Sequence, residues 1–91
     1  MQNMEKRVIV PQNVIMQEVD DEAILLNLKT RRSYVLNPSG MRMLQVLKAS
    51  PSIEQALTSL LNEYDVDPAV LRADLQELLE NLLQRGLVEI V

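Results

Sequence analysis

The residues Asn37-Pro38-Ser39-Gly40 divide this chain into two kinds of sequence. Before them, short runs of β-branched and aliphatic residues are broken by polar pairs, as in a series of short strands. After them, leucine, methionine and valine recur at three- and four-residue spacing, as in amphipathic helices. A small sheet whose last strand runs into helices is an α+β arrangement. With 91 residues, 47% of them hydrophobic, the chain can build one modest core, so residues 1–91 are read as a single domain.

Residues 1–7 are polar and charged and are expected to be disordered, while Val8-Ile9-Val10 ends at Pro11 and reads as a short edge strand. Pro11-Gln12-Asn13 is a turn. Val14 to Val19 and Ala23 to Leu28 form a hairpin about Asp20-Asp21, with Ile24, Leu26 and Leu28 on one face. Lys29 to Arg32 connects to a third strand, Ser33-Tyr34-Val35-Leu36, in which Tyr34 and Leu36 share a side. The expected sheet is three-stranded and antiparallel.

The first helix starts near Pro38, with Asn37 as N-cap, carries an apolar stripe of Met41, Met43, Leu44, Val46 and Leu47, and stops at Ser50-Pro51. Ser52 and Gln55 form a capping box for the second, which runs to Tyr64. Asp67-Pro68 opens the third, and Gly86 closes it. Leu71, Leu75, Leu78 and Leu82 make one row on this helix, widened by Val70, Leu79 and Leu83. Either the whole stripe is core, or one edge of it lines a groove. Three helices after a sheet, then a short strand or tail at Val88 to Val91, give the outline of a winged helix-turn-helix.

Histidine and cysteine are absent, which removes the commonest general base, the thiolate nucleophile and the usual zinc and iron-sulfur ligands. No cofactor or metal is expected, and no catalytic site: Asp20-Asp21, Asp65 and Asp67 fall at turns and caps. A net charge of -4 disfavours nucleic acid and anionic lipid. The third helix adds Asp74, Glu77 and Glu80 against Arg72 and Arg85, the reverse of a DNA-reading face; a winged-helix regulator stays as the alternative, since Gln76, Asn81 and Gln84 can read bases. No apolar run approaches the roughly 20 residues that span a bilayer, and the polar start lacks a signal-peptide core, so a cytoplasmic protein is expected.

A peptide or protein partner remains. If Ser33 to Leu36 lies at a sheet edge, its free amides and carbonyls can accept an extended peptide as an added strand. The third helix would then supply an apolar wall, and Lys29, Arg31 and Arg32 would attract acidic residues. A self-associating module built on the leucine-rich helix is a further alternative.

The strand ending in Leu36-Asn37, the Ser39-Gly40 helix start, Glu63-Tyr64-Asp65-Val66-Asp67 and Leu82-Leu83-Gln84-Arg85-Gly86-Leu87-Val88, in that order and spacing over about residues 8–90, resemble the PqqD family. The resemblance implies a recognition domain for the leader segments of ribosomally made precursor peptides. The leader would add antiparallel to the third strand, in a cleft beside the third helix, and be presented to a modifying enzyme or a leader peptidase. By position, the resemblance assigns peptide contacts to Ser33, Tyr34, Val35 and Leu36, and to Leu71, Asp74, Leu75 and Leu78. On that placement, Leu75→Glu would weaken leader binding in a protein that still folds. Two positions depart from the family pattern: Leu44 stands where many relatives carry tryptophan, and Leu25-Leu26-Asn27-Leu28-Lys29 replaces a Leu-Leu-x-Pro-Glu type of segment. The second departure points away from pyrroloquinoline quinone synthesis and toward the stand-alone leader-binding proteins of lasso-peptide pathways.

Overall fold

The computed structural model describes residues 4–91. In chain order its elements are β1 (Val8–Ile9), β2 (Val14–Val19), β3 (Glu22–Asn27), β4 (Ser33–Leu36), α1 (Pro38–Ala49), α2 (Ile53–Glu63), α3 (Pro68–Gln84) and β5 (Glu89–Ile90). The fold is α+β: β2, β3 and β4 form an antiparallel sheet in that order, and three helices follow it.

The register decides which side of the sheet is inside. Ala23 pairs with Leu36 and Leu25 with Tyr34, and this parity faces the helices, burying Ala23, Leu25, Asn27 and Leu36. Ile24, Leu26 and Leu28 do share a face, but it is the outward one, where Ile24 and Leu28 are exposed together with Ile15, Val19 and Val35. An almost continuous apolar run from Ala23 to Leu28 has no internal marker for its buried parity, so pairing with Leu36 sets it. Val19 meets Glu22 across Asp20-Asp21, and Asp20 takes φ 57, a conformation that aspartate tolerates.

A second, two-stranded sheet joins the ends of the described chain. Val8 pairs with Ile90 and Ile9 with Glu89, and Arg7 and Val91 exchange backbone hydrogen bonds of 3.0 and 2.9 Å. The expectation of disorder over residues 1–7 falls partly on residues 1–3, outside the described residues. Farther along, the Met4 and Lys6 carbonyls accept from the Glu54 and Ile53 amides at 2.9 and 2.7 Å. A helix start leaves such amides without an internal partner, and here a preceding segment of the chain supplies it.

Side-chain caps set the helix starts: Asn37 Oδ1 accepts from Gly40 N at 2.7 Å, Ser52 Oγ from Gln55 N at 3.1 Å, and Asp67 Oδ1 from Ala69 N at 2.8 Å. Helix α3 ends in a Schellman motif, with Leu87 N donating to Leu82 O and Gly86 N to Leu83 O while Gly86 holds φ 65. Leu71, Leu75, Leu78, Leu79 and Leu82 are buried, so the leucine stripe is consumed within the domain and only Val70 and Leu83 at its margins are exposed. Helix α1 lies against β1, β3 and β4 and packs on α2, which in turn meets α3. On the surface, Arg42 grips Glu63 through two hydrogen bonds of 2.7 and 2.6 Å. That contact holds the Glu63 carboxyl below its ordinary pKa and raises that of Arg42.

Candidate peptide-binding site

Strand β4 is an edge, and its free side follows from hydrogen-bond alternation. Asn27 N donates to Arg32 O at 2.9 Å, and Leu28 N to Asn13 O at 2.8 Å, so odd-numbered residues of β3 bond toward β4 and even-numbered ones toward β2. Tyr34 and Leu36 are therefore used by β3. The amide and carbonyl groups of Ser33 and Val35 point away from the sheet, ready for another strand.

Beside that edge lies an open cleft of about 320 Å³, walled by Tyr34, by Asn37, Ser39, Gly40 and Met43 of the α1 start, and by Asp74, Glu77, Leu78 and Asn81 of α3. A smaller hollow of about 160 Å³ continues it along β4 past Glu22, Val35 and Leu36. Gly40 permits this close approach of strand end and helix start: a Cβ there would sit 3.2 Å from Asn37 Oδ1 and 3.3 Å from Leu36 Cδ2. At the other end the Arg85 guanidinium stacks 4.9 Å from the Tyr34 ring centroid and donates to Asn81 O at 3.1 Å. Arg32 Nη1 reaches Gln84 O at 3.4 Å. Strand β4 and α3 thus run in opposite directions along the cleft.

Of the residues expected at the site, Tyr34, Asp74 and Leu78 line the cleft, Ser33 and Val35 offer the free backbone, Arg32 reaches the end of α3 at Gln84 O, and Arg31 is exposed next to it in the chain. Leu36 contributes position only, since its side chain is 1% exposed. Leu71 is buried and lines a separate hollow with Tyr64, Val66 and Val70, which Asp74 also borders. Leu75, 2% exposed, faces Met4, Ile53 and Leu57 on the opposite side of α3. Helical rotation turns residue 75 about 100° from residue 74, which takes Leu75 off the cleft wall and into the core although Leu78 of the same row reaches the cleft. Leu75→Glu is accordingly expected to abolish folding, through a carboxylate placed in the apolar core at a cost of several kcal/mol. A native-like circular dichroism spectrum and melting transition for that variant would refute the packing.

Asn37, Ser39, Gly40, Met43, Glu77, Asn81 and Arg85 were not assigned from sequence. Glu77 and Asn81 lie three and seven residues after Asp74, so helical spacing from Asp74 identifies them once the cleft side is known. The α1 residues come into the site through the Asn37 cap, and only the packing of α1 under β4 puts them there.

The chain matches, over residues 22–88, the family described as "Coenzyme PQQ synthesis protein D (PqqD)". No curated protein matches it. Two solved structures share the fold. One is TbiB1 in complex with the TbiA(beta) leader peptide, at TM-score 0.78 and 29% identity over 88% of this chain and 93% of that chain. The other is a lasso peptide synthetase B1 complexed with the leader peptide, at TM-score 0.78 and 19% identity over 91% and 98%. The family match runs from the first residue of β3 through the end of α3 and so takes in both walls of the cleft and most of the chain; the protein belongs to the PqqD family.

Proposed function

We propose that residues 1–91 act as one recognition domain that captures the leader segment of a ribosomally made precursor peptide as a strand added to β4, and presents it to a modifying enzyme or a separate leader peptidase. The observation that carries this reading is the free edge of β4 running beside an open cleft under α3, in a chain similar to TbiB1, whose structure holds a leader peptide. A lasso-peptide pathway is favoured over quinone synthesis by Leu25-Leu26-Asn27-Leu28-Lys29 in place of the quinone-type segment and by the kinship with leader-bound B1 proteins.

The role is binding rather than catalysis. Backbone hydrogen bonds of an added strand contribute roughly 0.5–1.5 kcal/mol each and tolerate many sequences, so choice of leader rests on the cleft walls. Holding the leader raises the effective concentration of the reacting segment at the enzyme. We place the protein in the cytoplasm; among the described residues no helix is long and apolar enough to cross a membrane.

A backbone amide NMR titration with synthetic leader peptides from candidate precursors, and a duplex DNA control, tests the reading. Shifts concentrated in Ser33–Leu36 and at Asp74, Leu78 and Asn81 are the expected result. No response to any leader, with shifts on DNA instead, would replace it with a winged-helix regulator.

A further inference from the structure

We infer that the cleft is a charge-sorted slot, taking a leader strand with a lysine or arginine near its start and an aspartate or glutamate about four residues later; this rests on the strand-capture reading above. The charges lie at opposite ends. Asp74 and Glu77 wall the cleft beside Asn37, and Glu22 borders its continuation past Leu36. Arg31 and Arg32 stand before Ser33, and Arg85 caps the Tyr34 ring at that same end.

Among the described residues, none of these side chains takes part in an ion pair. Among the described residues the ion pair found is Arg42 with Glu63, away from the cleft, and Arg32 and Arg85 bond only to neutral oxygens. Asp74 and Glu77 are three residues apart on α3 and both wall the cleft, and neither is in the first turn where the helix dipole would favour a carboxylate. A cation on the bound strand would meet both carboxylates.

Geometry then gives direction and spacing. The sheet is antiparallel throughout, so a strand that continues its pattern on β4 starts at the Leu36 end, by the carboxylates, and finishes at the Ser33 end, by the guanidiniums. From Ser33 to Asn37 an extended chain spans about 13 Å, and from Asp74 to Arg85 a helix rises about 16 Å. Residues facing the cleft recur every second position, so charges about four apart point inward together, and the inward residue between them meets Tyr34, Met43 and Leu78.

The test uses short synthetic peptides of alternating isoleucine and threonine with a lysine about four positions ahead of a glutamate, the same peptide with the two charges exchanged, and a glutamine control. Affinity is measured by fluorescence anisotropy, and the binding face by amide NMR shifts. The lysine-first peptide is expected to bind about tenfold more tightly than the exchanged one, the sum of two partly exposed charge contacts, and this gap should shrink in about 0.5 M salt. A variant carrying Asp74→Lys and Glu77→Lys, both at exposed positions, should remove or invert the preference. Equal affinities with shifts still in Ser33–Leu36 would overturn the charge sorting and leave strand capture standing. Binding that never moves Ser33–Leu36 would overturn both.

Discussion

Val35→Pro weakens leader capture by about thirtyfold or more while the domain stays folded. The Val35 amide points away from β3, so proline removes no bond of the β3–β4 ladder, and an edge position with its amide toward solvent is one where proline is tolerated within sheets. Its side chain is exposed on the outer face, so no core contact is lost. The incoming strand fares differently: one carbonyl loses its donor, and the proline ring occupies the line of approach. Loss of that bond with a carbonyl left unsatisfied costs about 2 kcal/mol, the origin of the thirtyfold figure. Calorimetric titration of a leader that binds the parent protein, beside a melting curve of the variant, is the measurement. Unchanged affinity in a folded Val35→Pro protein would move the leader off this edge, whereas Val35→Thr should bind as the parent does.

Asn27→Ala should lower stability by about 3 kcal/mol, roughly a 15 °C fall in melting temperature for a domain of this size. Asn27 is 4% exposed and fully engaged. Its Oδ1 accepts from Asn13 Nδ2 at 3.1 Å, Lys29 N at 2.9 Å and Thr30 N at 3.2 Å, and its Nδ2 donates to Gly86 O at 2.9 Å. One amide therefore holds the turn that precedes β4 and fastens it to the end of α3. Alanine leaves those backbone groups without partners in a half-buried place. Gly86→Ala is coupled to it, because a Cβ on Gly86 would lie 2.8 Å from Asn27 Nδ2 and would also strain φ 65. In the double variant that clash is gone, so its loss of stability should be smaller than the two single losses together. Chemical denaturation of the four proteins measures this, and strict additivity would mean that the two residues do not meet as described.

These two residues show what was and was not legible in the chain. The strand and helix spans, the caps at Asn37, Ser52 and Asp67, and the helix end at Gly86 follow from local chemistry: period of apolar residues, side chains that bond their own backbone, a glycine that accepts positive φ. Asn27, by contrast, received no structural role from its place in the Ala23 to Leu28 run. Lys29 and Thr30 are local partners, but Asn13 and Gly86 are 14 and 59 residues away, and no local pattern encodes those two.

The same division holds at the site. That Ser33–Leu36 is a strand and that α3 is leucine-rich followed from sequence, because alternation and helical spacing are local; the edge position of the strand was only a condition there, and its neighbourhood to α3 was implied by the family resemblance. Which face of α3 meets the cleft was decided only by packing: α2 and the first described residues cover Leu75, β4 and α1 leave Leu78 at the floor, and Asp74, Glu77 and Asn81 become the wall. A stripe as wide as that of α3 fits more than one rotation equally well on hydrophobic grounds, and burial against three different neighbours selects one.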